Sequence, residues 1–194
     1  MQRALCLAAV AAVTLALAPG LAVAGTTTRP NPPITYIATL VDSTHILPMA
    51  DSVPITIRLD RYTTESEAAH LSDVAKVKNE QGLRQALGED FVGQLQIDNH
   101  LSDPIAYARR VEDANGTHLM LIAQRPLTMR EIFQGWPTVD YPFTVLELDL
   151  GPNGTGSGTM YLAARIRPRK NGKIELVGYD FLPSRLMAVK KTQS

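Results

Sequence analysis

The feature that most constrains the fold is a two-residue alternation of apolar and polar side chains that recurs along most of the chain. It is clearest where Val53, Ile55, Ile57 and Leu59 alternate with proline or polar residues. Successive side chains of a β-strand point to opposite faces of a sheet, so the pattern predicts strands with one buried and one wet face. Strands are predicted at residues 35–43, 53–60, 91–97, 105–111, 118–123, 143–150, 159–167, 174–181 and 186–190.

Most connections between these segments are too short for parallel pairing, which needs a crossover of a dozen or more residues. The sequence therefore predicts a mainly β (α+β) fold with an antiparallel sheet of about eight to nine strands. Both an antiparallel sandwich and a closed β-barrel satisfy the pattern. A barrel would remove the exposed strand edges and could enclose a small apolar ligand.

A helical insertion near residues 64–88 interrupts the strands, because the apolar period there changes to that of a helix. Thr64 and Glu67 have the spacing of a capping box, in which each side chain binds the backbone N–H of the other residue. We predict two short helices, the second running from Asn79 to Gly88. Gly88 is expected to adopt the left-handed conformation that often follows a helix end.

The strands at residues 143–150 and 159–167 both carry apolar side chains at even positions. Paired strands bury the same row of side chains, so the two outward rows should also share a face. One outward row is acidic and the other basic, and opposite charges in such rows attract weakly. We therefore expect these rows to lie near each other: Glu147 and Asp149 on one strand, Arg165 and Arg167 on the next.

The following hairpin keeps its alternation only in one register. Arg167 must lie opposite Glu175, and Ile166 opposite Leu176, for polar and apolar rows to match. This register predicts a three-residue loop at residues 170–172 rather than the more common two-residue turn.

The first 24 residues have the three parts of a secretory signal peptide: a charged start, an apolar middle and an Ala-x-Ala end. We expect cleavage after Ala24, then a flexible Thr/Pro-rich arm at residues 25–34 and a single β-rich domain at residues 35–194. Cys6 is the only cysteine and lies within the signal, so the processed chain can form no disulfide. The predicted location is periplasmic or extracellular, with no membrane span after cleavage.

Charge and motifs exclude several functions. Lys and Arg together number 19, as do Asp and Glu, and a net charge of zero gives no electrostatic footprint for nucleic acid. The glycine-rich residues 151–158 precede a strand rather than the helix that a phosphate loop requires, so we interpret them as a flexible hairpin loop. The four histidines lack metal-pair spacing, and neither a metal nor a cofactor is predicted.

An aromatic and proline-rich segment around residues 125–143 carries the only tryptophan. Long irregular segments with such residues often form binding surfaces. The alternative is a loop that plugs one end of the sheet with Trp136 in the core, and the two are compatible if the plug lines a pocket. The candidate ligand-binding residues are Arg125, Phe133, Trp136, Asp140, Tyr141 and Phe143.

Several short stretches resemble a family of uncharacterised secreted bacterial proteins. The stretches are residues 57–62, 123–126, 139–144, 147–148, 158–160 and 176–179. The resemblance spans nearly all of the processed domain and implies a bacterial, exported protein. No activity is assigned to that family, so the resemblance implies no functional residue.

Two classes of function remain. The first is an exported, non-catalytic binding module for a small apolar ligand or a protein partner. The second is a periplasmic hydrolase or transferase, for which the available acid–base candidates are Arg125, His118, Glu131 and Asp140. Because none of the familiar catalytic motifs is present, the sequence favours binding.

Overall fold

The computed structural model describes residues 33–41, 52–99, 102–125, 134–169 and 173–193. Within these ranges the chain forms nine β-strands, one α-helix and a short 3-10 helix at Pro137–Asp140. The strands are β1 (Ile34–Val41), β2 (Ser52–Leu59), β3 (Gly93–Ile97), β4 (Asp103–Asp113), β5 (Gly116–Gln124), β6 (Phe143–Leu150), β7 (Thr155–Pro168), β8 (Ile174–Tyr179) and β9 (Ser184–Gln193). The α-helix, α1, spans Glu65–Leu87. Each predicted strand corresponds to an observed one.

Eight strands close into an antiparallel β-barrel, which decides between the two predicted architectures. Strands β1 to β7 pair in sequence order, and β9 closes the ring by pairing with both β7 and β1. Strand β7 has 14 residues and is longer than the part that pairs with its two neighbours in the barrel. Its residues 155–160 pair with β9, whereas residues 164–168 pair with β8, so the β7–β8 hairpin projects from one end of the barrel.

The barrel interior is filled by the predicted apolar rows. A barrel of about eight strands is just wide enough for its own side chains to fill. Buried side chains of this core include Tyr36, Ala38, Leu40, Val53, Ile55, Ile57, Leu59, Leu95, Ala108, Leu119, Leu121, Leu146, Leu148, Met160, Leu186 and Val189. A site for the expected apolar ligand therefore has to be sought outside this packed interior.

A second core lies on the outer face of the barrel, between the strands and α1. The helix contributes Leu71, Leu83 and Leu87 to it. The strands contribute Ala106, Tyr107, Ile122, Phe143, Val145, Ala164, Ile166 and Ile174. Among the described residues, no helix combines the length and apolar character needed to cross a membrane.

The predicted capping box is present at the start of α1. The Thr64 hydroxyl accepts a hydrogen bond from the Glu67 N–H at 3.2 Å, and the Thr64 N–H donates to Glu67 Oε2 at 2.7 Å. The prediction of two helices is wrong, because α1 continues without a break to Leu87. Gly82 costs a helix only about 1 kcal/mol relative to alanine, and burial of the leucines on α1 outweighs that cost.

Gly88 ends α1 as predicted, but not in a left-handed conformation. Its φ is −84° and its N–H donates to the Gln85 carbonyl at 2.9 Å. A Cβ at this position would stand 2.9 Å from Gln124 Nε2, which donates to the Arg84 carbonyl at 2.8 Å. Gly88 therefore leaves room for a β5 side chain that binds a free carbonyl at the helix end.

The predicted register of the β7–β8 hairpin is confirmed. Arg167 lies opposite Glu175, and Ile166 opposite Leu176. The predicted loop at residues 170–172 lies outside the described residues. The observed register is the one that keeps polar and apolar rows matched across the hairpin.

The acidic and basic outward rows do not lie opposite each other. Glu147 faces Thr159 and Asp149 faces Ser157. Strand β6 pairs with the earlier part of β7. The basic positions Arg165 and Arg167 lie in the later part, beyond the end of β6, and pair with β8 instead. The same register corrects the interpretation of residues 151–158, because β7 begins at Thr155 and the last two glycines of that run are strand residues.

Candidate functional site

The segment that connects β5 to β6 carries the predicted aromatic cluster. Trp136 is 42% exposed, so it is not the core residue that the plug arrangement requires. Its carbonyl accepts a hydrogen bond from the Val139 N–H at 3.0 Å, which forms the short 3-10 turn. Phe133 lies outside the described residues. The described part of this segment therefore presents the tryptophan at the surface.

Asp140 and Tyr141 fasten this segment to the projecting hairpin. The Arg165 guanidinium lies 5.3 Å from the centroid of the Tyr141 ring, a cation–π distance. Arg165 Nε also donates to the Asp140 carbonyl at 3.3 Å. The Arg125 N–H donates to the Pro142 carbonyl at 3.0 Å and holds the two ends of the segment together. Arg125, Asp140 and Tyr141 therefore anchor the segment to the rest of the protein.

Phe143, the last of the predicted site residues, is completely buried. It belongs to the outer core together with Leu83 and Leu87 of α1. The sequence-predicted residues thus divide between a surface segment and a core position. None of the five described ones lines the pocket between α1 and the barrel.

That pocket, here called the helix pocket, has a volume of about 250 Å³. Its floor is apolar and is formed by Leu71, Ala86, Leu87, Val92 and Ala106. Its rim is polar and includes Arg61, Glu67, His70, Glu89 and Asp90. A few polar groups around an apolar floor are typical of small-molecule sites.

Two irregular segments hold the helix pocket in place. The segment after β2 is tied to the segment between α1 and β3 by the Asp60 N–H, which donates to the Val92 carbonyl at 2.9 Å. Thr63 bonds β4 twice, since its N–H donates to the Ala108 carbonyl and its hydroxyl accepts from the Ala108 N–H, both at 2.9 Å. The Val92 N–H donates to the Ile105 carbonyl at 2.8 Å. Both segments that flank the pocket are therefore hydrogen-bonded to the sheet.

Arg61 organises the rim of the helix pocket. Its side chain is 19% exposed; Nη1 lies 2.8 Å from Glu67 Oε2, and Nη2 bonds Asp90. Burial alone would raise the pKa of the Glu67 carboxyl, but the Thr64 N–H and the Arg61 guanidinium together hold that pKa below its usual value. Glu67 is therefore a carboxylate at neutral pH, and its ion pair with Arg61 fixes both side chains.

The sequence revealed only part of this site. The capping-box spacing identified Glu67, and the helical period near residues 64–88 located the helix that supplies Leu71 and Leu87. Arg61 and Asp90 are 29 residues apart and meet only in the folded chain. No local motif marks that pair.

His118 does not come together with Asp140 or Arg125 in the described part of the chain. His118 lies on the exposed side of β5, where Nδ1 is 2.5 Å from Asp149 Oδ1 and Nε2 is 3.2 Å from Asp113 Oδ2. Asp149, the partner of His118, is near the end of β6, whereas Asp140 precedes the start of that strand. At about 3.3 Å per residue, the strand separates the two aspartates by roughly 20 Å, and His118 is therefore far from Asp140. Within the described ranges, no group of three His, Cys, Asp or Glu side chains could hold a metal ion. Glu131 lies outside those ranges.

Replacing His118 by glutamine is expected to lower stability at acidic pH and not at pH 9. The hydrogen bond to Asp149, followed by that to Asp113, raises the pKa of His118 above 6.5. A raised pKa in the folded state adds stability that is complete below the unfolded pKa and disappears as pH rises through the folded pKa. Urea midpoints of both proteins at pH 5.5 and pH 9 measure the difference. An equal difference at the two pH values would contradict the ion-pair role.

Neither a protein-family model, nor a curated protein, nor a solved structure matches this chain.

Proposed function

We propose that the protein is an exported, non-catalytic binding module that holds a small apolar ligand in the helix pocket. The observation that carries the proposal is the apolar floor of this pocket, open between α1 and the barrel while the barrel interior is packed. Export rests on the signal-peptide pattern of residues 1–24 and is tested by N-terminal sequencing of periplasmic protein, which is expected to begin at Gly25.

The size of the helix pocket suits a small ligand. An apolar cavity of roughly 150 Å³ in another protein binds benzene. The helix pocket, at about 250 Å³, has room for a larger ring or a short alkyl chain. Transfer of such a group from water to the leucine, valine and alanine floor supplies the driving force.

The rim supports binding rather than catalysis. Arg61 is engaged by two carboxylates, and Glu67 also accepts the Thr64 N–H, so both side chains are held by partners in the protein. The hydrolase or transferase alternative needs two acid–base groups close together. Of its described candidates, His118 lies near one end of β6, whereas Asp140 and Arg125 lie near the other.

Filling the pocket tests the proposal. Ala86→Leu on α1 is expected to weaken binding of indole, toluene and hexanol at least about tenfold, a loss of about 1.4 kcal/mol. Ala69→Leu adds the same atoms at an exposed position of the same helix and is expected to leave affinity unchanged. Amide chemical-shift titration measures affinity and location, with shifts expected at Leu71 and Val92.

Two outcomes would overturn the proposal. The first is that none of the three probes shifts the amides around the helix pocket. The second is that Ala86→Leu and Ala69→Leu weaken binding equally, because then the added side chain acts through the fold rather than by occupying the pocket.

A further inference from the structure

A second and larger pocket opens at one end of the barrel, and it is here called the mouth pocket. Its volume is about 650 Å³. The β4–β5 and β6–β7 turns form part of its rim, together with residues from the start of β1 and the end of β9. It shares no lining residue with the helix pocket.

An arginine enters this end of the barrel from β4. Ala108 lies opposite Leu121 and both are buried in the barrel core, so Arg110, opposite Leu119, belongs to the same inward row. Its guanidinium lies 5.9 Å from the centroid of the Tyr62 ring. The inward row thus changes from apolar to charged where the barrel opens.

Two tyrosines with paired hydroxyls lie near this arginine. Tyr36 is 2% exposed, and its hydroxyl is 3.3 Å from the hydroxyl of Tyr62. Burial raises the pKa of Tyr36, as does its hydrogen bond to Tyr62, while the charge of Arg110 acts in the opposite direction. Tyr36 is therefore a neutral hydroxyl at the bottom of the pocket, close enough to Arg110 to sense its charge.

Lys191 adds a second cation to the mouth pocket. It lies opposite Tyr36 in the β1–β9 ladder, where facing residues have Cβ atoms about 5 Å apart. Lys191 makes no ion pair with any residue in the described part of the chain. Among the described residues, no carboxylate therefore competes with a ligand for its ammonium group.

The two carboxylates of the pocket are already engaged. Glu112 pairs with Arg110. Asp113 Oδ1 accepts the N–H groups of Asn115 and Gly116 at 2.7 and 3.1 Å, and its other oxygen faces His118. A guanidinium carries five N–H donors and an ammonium three, so one glutamate leaves a surplus of charged donors.

From this arrangement we infer that the mouth pocket binds a small organic anion. Its carboxylate or phosphate lies between Arg110 and Lys191, and its polar atoms face Tyr36, whose hydroxyl is held by that of Tyr62. Charge-assisted hydrogen bonds from arginine and lysine are the strongest that a protein offers to such groups. This second site is independent of the ligand proposed for the helix pocket.

Matched probes test the inference. Benzoate and phenyl phosphate carry the two anionic groups, and benzamide is the neutral counterpart of benzoate. We expect amide shifts at Gly116 and Lys191 with the anions, affinity that falls as sodium chloride is added, and at least about tenfold weaker binding of benzamide. The preferred anion identifies whether the site is shaped for carboxylate or phosphate.

Charge-removing variants locate the anion. Lys191→Gln and Arg110→Gln are each expected to weaken anion binding at least about tenfold. Lys190→Gln removes the same charge from the neighbouring exposed position, outside the pocket, and is expected to change affinity less than about twofold. Because Arg110→Gln leaves Glu112 without its partner, Lys191→Gln is the decisive variant if the other unfolds.

Three results would overturn the inference: no binding of either anion, equal binding of benzoate and benzamide, or equal losses in Lys191→Gln and Lys190→Gln. Shifts confined to Leu71 and Val92 would assign the probes to the helix pocket and would also refute it. Failure of the apolar probes at the helix pocket leaves this test unaffected, since the two pockets have no residue in common.

Discussion

Replacing Phe143 by alanine is expected to reduce the free energy of unfolding by about 3–5 kcal/mol. The Phe143 ring is fully buried in the outer core, where it shares a cluster with Leu83 and Leu87 of α1. Removing it costs the transfer free energy of the ring and leaves a cavity between the helix and the sheet. Since small domains are stable by roughly 5–15 kcal/mol, the loss is a large fraction of the total.

The measurement is urea denaturation followed by circular dichroism, and Phe91→Ala is the matched control. Phe91 is 46% exposed, so the same change there is expected to cost about 1 kcal/mol or less. A loss below that level for Phe143→Ala would show that the helix does not depend on this side chain. Phe143 would then be free to serve as the ligand contact that the sequence suggested.

Local alternation predicted the strands and one register but could not predict closure of the barrel. The period of two identified all nine strands, and it selected the Arg167–Glu175 pairing correctly. Closure depends on β1 pairing with β9, more than 140 residues later in the chain, and on β7 being long enough to pair with both β8 and β9. Neither condition can be predicted from a short stretch of sequence.

The site was less predictable than the fold for a related reason. The aromatic segment was chosen for its composition, but composition does not determine burial: Trp136 is exposed and Phe143 is buried. The two pockets instead combine residues from separate elements. Arg61 with Asp90 at one pocket, and Arg110 with Lys191 at the other, are brought together only by the barrel and its helix.

The helix shows how tertiary packing overrides a local signal. The sequence pattern predicted two short helices, the second beginning at Asn79. The chain forms one, because the leucines on both sides of that point belong to the same outer core. Helical propensity is a weak preference of about 1 kcal/mol or less per residue, and burial of a leucine exceeds it.

Gly156→Ala is expected to destabilise the protein by about 3 kcal/mol, at the upper end of the usual cost of overpacking. Gly156 lies opposite Leu150 where β6 meets β7. A Cβ at this position would stand 1.8 Å from the Asp149 carbonyl oxygen and 2.8 Å from its carbonyl carbon. These are backbone atoms of the neighbouring strand, so relief requires β6 and β7 to separate beside the turn that connects them.

Gly151→Ala, in the turn that precedes β7, is the matched control for the contact between β6 and β7. An added Cβ there is 3.4 Å from its nearest neighbour, an ordinary contact with the Asn153 side chain, and the expected change is within about 0.5 kcal/mol. Urea midpoints of the two variants measure the difference in stability. Amide exchange at Asp149 and Ser157 shows whether β6 and β7 separate. If Gly156→Ala were as stable as Gly151→Ala, the strands could not approach as closely as described. The glycine-rich run would then be better explained as the flexible loop that its composition first suggested.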